Sequence, residues 1–78
     1  MHAATLASPR LRSVLKVLAD GRAHTTLDLV RKARVLAVSA VISELRCHGA
    51  EINCVRQMAP SGVGTAFYYT MTKAPNIK

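Results

Sequence analysis

The sequence predicts a small, single α+β domain, mainly helical, in which three helices precede a C-terminal β-hairpin. Three observations lead there. Apolar residues recur with helical spacing up to Gly49 and with a period of two after it. Start and stop signals divide the chain: Ser8-Pro9, Gly21, Thr25-x-x-Asp28 and Gly49. Half the residues are apolar, yet there is no Trp and the only aromatics are Phe67, Tyr68 and Tyr69, so the core must be aliphatic and helix-borne. At 78 residues the chain is near the lower size limit for a fold held by a hydrophobic core alone.

Residues 1–7 carry no pattern and are expected to fray. Ser8 can cap free N–H groups, and Pro9 suits a first helical position, where its missing donor costs nothing. Leu11, Val14, Leu15 and Leu18 follow at i, i+3, i+4 and i+7, so the first helix is expected from Pro9 to Asp20, ended by Gly21. Arg22–His24 leaves room for a turn or a very short strand. Thr25-x-x-Asp28 reads as a capping box, placing the second helix over Thr26–Ala33 with Leu27, Val30 and Ala33 inward. Arg31, Lys32 and Arg34 project from its end, where cations suit the negative pole of a helix.

Val35–Ala37 is the turn into a third helix that begins at Ala37 or Ser39 and ends at His48, before Gly49. At 100° per residue, Val38, Ile42 and Leu45 share a narrow arc with Val41 on its shoulder, while Ala40, Ser43, Glu44 and Cys47 point away. Beyond Gly49, Ile52 and Cys54 alternate with Glu51, Asn53 and Val55. The turn residues Ala59–Gly64 follow, and then Phe67, Tyr69 and Met71 alternate with Tyr68 and Thr70. The folded domain is thus expected over residues 8–72, with 1–7 and 73–78 as flexible tails.

The formal charge is +7, because eleven Lys and Arg face only Asp20, Asp28, Glu44 and Glu51. Such a balance points to a polyanionic partner. No apolar run approaches the roughly 20 residues needed to span a bilayer, and Met1–Ala7 lacks the pattern of a signal peptide, so a cytoplasmic protein with no membrane partner is expected. Cys47 and Cys54 have no Cys-x-x-Cys spacing, and a zinc site would need His24 and His48 at irregular separations. They read as two reduced structural thiols, and no cofactor or metal is expected. No acid–base carboxylate pair or nucleophile–base arrangement is visible, which argues against an enzyme.

Helix, short β segment, helix, tight turn, helix and hairpin is the element order of a three-helix winged helix-turn-helix with a C-terminal β-hairpin wing. Through Thr25-Thr26-Leu27-Asp28-Leu29 and Val38-Ser39-x-x-Ile42-Ser43-Glu44-Leu45-Arg46-x-x-Gly49-x-x-Ile52, the chain resembles a family of small winged-helix proteins found in phages, prophages and mobile elements. The resemblance runs from about Ser8 to Thr72, and Ile-Ser-Glu-Leu-Arg followed by Gly is its sharpest motif. It implies a DNA-binding protein, a transcriptional regulator or a recombination accessory factor. Two positions depart from the family pattern. Ala40-Val41 stands where relatives carry a polar or basic residue just before the Ile, and Arg34 stands at a turn position commonly held by Gly.

A helix-turn-helix sets the N-terminal half of its second helix in the major groove while flanking cations hold phosphates. On that geometry Ser39, Ala40 and Ser43 approach base edges. Thr26, Arg31, Lys32, Arg34 and Arg46 lie along the backbone, and the wing, with Arg56 at its root and Ser61 in its tip, follows the adjacent minor groove. Hydroxyls and a methyl group discriminate bases weakly. A homodimer or cooperative assembly on DNA is therefore expected, with Val41, Tyr68 and the N-terminal segment as the apolar surface available for it. The competing expectation is a winged-helix protein-interaction module without specific DNA readout, because the outward face of the third helix is poor in long polar side chains. The blander roles are strand pairing for His24, a helix-end donor for His48 and a plain loop signal for Gly62-x-Gly64.

Overall fold

The computed structural model describes residues 8–76. Three helices, α1 (Pro9–Leu18), α2 (Thr26–Ala33) and α3 (Val38–Cys47), pack on a three-stranded antiparallel sheet of β1 (His24–Thr25), β2 (Glu51–Met58) and β3 (Thr65–Lys73). The strand order is β1-β3-β2, so the short segment before α2 joins the hairpin that follows the helices. The N-terminal residues expected to fray, 1–7, and residues 77–78 lie outside the described residues.

Helix α1 has Pro9 in its first turn and buries Leu11, Val14 and Leu18. It ends two residues before the expected Asp20, because the Asp20 carboxylate turns forward to accept the Arg22 N–H at 2.8 Å and the His24 ring Nε2 at 3.0 Å. In β1, His24 pairs with Tyr69 and Thr25 with Tyr68, and both β1 side chains are buried. The capping box forms in full: Thr25 Oγ1 accepts from the Asp28 N–H at 3.0 Å, and Asp28 Oδ2 accepts from the Thr25 N–H at 3.1 Å.

The inward stripe of α2 differs from the expected one. Leu29 and Ala33 are buried, flanked by half-buried Thr26 and Val30, whereas Leu27 is 54% exposed. Residues 26, 29, 30 and 33 form an i, i+3, i+4, i+7 set that shares Val30 and Ala33 with the expected set, its centre rotated by about 50° away from Leu27. Arg34 then takes a left-handed conformation (φ 56°, ψ 44°) and turns the chain toward α3.

Helix α3 buries Val38, Val41, Ile42 and Leu45. Val41, expected in the core at the shoulder of its arc and also allowed at a partner surface, is fully buried, which bears out the core placement and removes it from any dimer surface. Its neighbours Leu11, Val14, Leu18 and Leu29 complete one aliphatic core, capped by Ile52 and Tyr69 of the sheet. Cys54 pairs with buried Tyr69 but is itself exposed, since it lies on β2, an edge strand of the sheet, whereas Tyr69 lies on the central strand β3.

The hairpin closes through Ala59 N–H to Gly64 O (3.1 Å) and Gly62 N–H to Ala59 O (2.9 Å). The Tyr68 hydroxyl donates to Met58 O at 2.7 Å, so this side chain braces the hairpin. At the other end, β3 continues to Lys73, Pro75 is buried, and Asn76 N–H donates to His48 O at 2.7 Å. Of the expected flexible tail, Lys73 thus belongs to β3 and residues 74–76 return over the end of α3. Gly49 (φ 95°) makes room for them: a Cβ there would sit 2.6 Å from Asn76 Nδ2.

Candidate nucleic-acid interface

Charge pairing in the fold is lopsided. All four carboxylates are engaged. Glu44 binds Arg10 with both oxygens at 3.1 Å, Asp20 serves Arg22 and His24, Asp28 serves the capping box, and Glu51 lies 3.9 Å from Lys73. The backbone N–H of Arg22, helped by the His24 ring, holds the Asp20 carboxyl below its ordinary value of 3.8. The Thr25 N–H does the same for Asp28. Among the described residues Arg12, Lys16, Arg31, Lys32, Arg34 and Arg56 make no side-chain hydrogen bond or ion pair.

The structure divides the sequence-derived residues into groups. Lys32 and Arg34 line a shallow depression between the start of α1 and the α2–α3 turn, beside Arg10. Thr26, Arg31 and Ser61 line a separate cleft between α2 and the hairpin. Ser39, Ala40 and Ser43 are all exposed on α3, and all three side chains are short. Among the described residues no side chain caps the N-terminus of α3, and no acidic residue lies in its first turn to offset the positive end of that helix.

Arg46 is exposed but tethered within the fold. Its Nη2 donates to Ile52 O at 2.6 Å, so the guanidinium straps the last turn of α3 to the start of β2. Arg56 is exposed on β2, directly across from Phe67. Ser61 Oγ accepts from the Val63 N–H at 3.3 Å within the hairpin tip.

Sequence reasoning missed two side chains of this surface. Periodicity places Leu27 inward and sets Phe67 on the same strand face as Tyr69, yet they are 54% and 47% exposed and share the α2–hairpin cleft. The i, i+3, i+4, i+7 set through Thr26 was the available signal for Leu27. Among the described residues no helix is long and apolar enough to cross a membrane, and no group of three or more His, Cys, Asp or Glu is placed to hold a metal ion. No protein-family model, curated protein or solved structure matches the chain.

Proposed function

We propose that this chain is a winged helix-turn-helix protein that binds double-stranded DNA, with α2 and α3 as the helix-turn-helix and the β2–β3 hairpin as the wing. The reading gives it the role of a transcriptional regulator or recombination accessory factor. One observation carries it: every carboxylate is occupied, while Arg31, Lys32 and Arg34 stand unpaired at the end of α2, just before the uncapped start of α3. Uncompensated cations beside a helix face of short side chains suit a phosphate backbone flanking a groove. Ser39, Ala40 and Ser43 then meet base edges with little discrimination, so a second copy on the same duplex supplies the specificity.

The test is a duplex titration across salt concentrations. The log–log salt slope is expected to flatten by roughly 0.9 for each of Arg31, Lys32 and Arg34 neutralised. Variants that keep the parent's slope sink the placement. A second reading, a winged-helix protein-interaction module, is favoured by Leu36, which is 91% exposed in the α2–α3 turn. It predicts no loss of affinity for DNA when the α3 face is altered.

A further inference from the structure

The cleft between α2 and the hairpin has features that a DNA backbone does not use. It measures about 700 Å³, within the range of ligand sites, and its wall is largely apolar: Leu27, Val30, Ala59, Pro60, Ala66 and Phe67. It exists because β1 stops early. The chain pairs with β3 only at His24–Tyr69 and Thr25–Tyr68, then turns into α2 under the capping box. β3 continues from Phe67 to Thr65 with β2 along one side and no strand along the other. A strand continued from β1 would lie against Thr65–Phe67, and the cleft occupies that place.

An open strand edge beside apolar pockets is the arrangement by which sheets take up extended peptides. The charges add a second requirement. Arg31 lies in the cleft wall, and Arg56, paired across from Phe67, projects from the same face of the hairpin. Both are exposed, and neither has a side-chain partner among the described residues. The one carboxylate in the wall, Asp28, is committed to the Thr25 N–H.

We propose that this cleft binds an extended acidic peptide from a partner protein, which adds a strand along Thr65–Phe67, seats an apolar side chain between Leu27 and Phe67, and sets a carboxylate on Arg31 or Arg56. This site goes beyond the DNA reading and does not depend on it. Because Arg31 is shared, bound peptide and DNA compete.

The test pans a phage-displayed library of random peptides on the full chain and measures an enriched synthetic peptide by anisotropy and amide NMR. Enriched peptides are expected to place an apolar residue next to Asp or Glu, and to perturb the amides of Thr65, Ala66 and Phe67. Leu27→Asp and Phe67→Thr should each weaken binding at least about tenfold. Leu27 is exposed, and an acid in the first turn of a helix is favourable, so Leu27→Asp should fold. Phe67→Thr keeps a strand-forming residue. Circular dichroism checks both. Failure to enrich peptides, or peptides that bind both folded variants like the parent, overturns the proposal. So does a duplex that perturbs the same three amides and is lost in Leu27→Asp, since the cleft would then belong to the DNA interface. None of these results alters the salt-slope test of the DNA reading.

Discussion

Replacing Arg34 by Gly and, separately, by Ala isolates the backbone geometry of the α2–α3 turn from the charge it carries. Arg34 is the one non-glycine among the described residues with a positive φ, at 56°. A left-handed conformation costs an L-residue roughly 1–2 kcal/mol, a cost glycine escapes. Glycine gives back about 0.4–1 kcal/mol through the greater freedom of its unfolded chain. Both variants lose the guanidinium, so its interaction with the helix pole and its contribution to DNA binding cancel in the comparison. The Gly variant should be more stable than the Ala variant by about 1 kcal/mol, or roughly 4–8 °C in Tm for a domain of this size. Urea and thermal unfolding followed by circular dichroism give the difference. Duplex titration of the same two proteins should show equal losses of affinity. An Ala variant as stable as the Gly variant would refute the left-handed turn, and unequal DNA affinities would refute the view that position 34 acts through charge alone.

Leu45 is fully buried in the aliphatic core, so Leu45→Ala should cost about 2–5 kcal/mol, a large part of the total for so small a domain; an unchanged melt would contradict its place there. Arg46→Ala removes the bond to Ile52 O and should destabilise by about 1.5 kcal/mol, whereas a variant as stable as the parent would show that the strap does not hold. Asp20 and Asp28 have lowered pKa values in the fold, so their contribution is fully present above the ordinary value of 3.8 and is lost as the pH falls through the lowered folded values. Melts taken down to about pH 2 should show the parent falling toward the Asp20→Asn, Asp28→Asn double variant, and parallel curves would refute the linkage.

Local signals in the sequence located most of the fold. Pro9, the Thr25–Asp28 box and the glycines that end helices act through neighbouring atoms, so α2 has the expected bounds and the other helices differ by one or two residues at their ends. Burial was less legible, because it depends on what lies opposite. The expected and observed stripes of α2 share Val30 and Ala33, and a rotation of about 50° between their centres is enough to expose Leu27 and bury Leu29. The alternation in β2 and β3 gives the faces of the hairpin but neither that β2 is an edge strand, which leaves Cys54 exposed, nor how far along β3 the cover extends, which leaves Phe67 exposed. The docking of residues 74–76 over α3 depends on a long-range contact with Gly49 that no spacing rule contains. The candidate site was legible as a set of cations. Its division between two depressions, and the strapping of Arg46 to β2, depend on long-range packing that no local pattern records.

The central claim, that the exposed face of α3 meets DNA, is tested most directly by Ser43→Glu. Ser43 is solvent-facing and lies midway along the helix, so a carboxylate there should leave folding intact by circular dichroism. In an anisotropy titration with duplex DNA, the account predicts that binding is abolished, since the new charge faces base edges and phosphates. A folded Ser43→Glu protein that binds DNA as tightly as the parent would remove α3 from the interface and contradict the account.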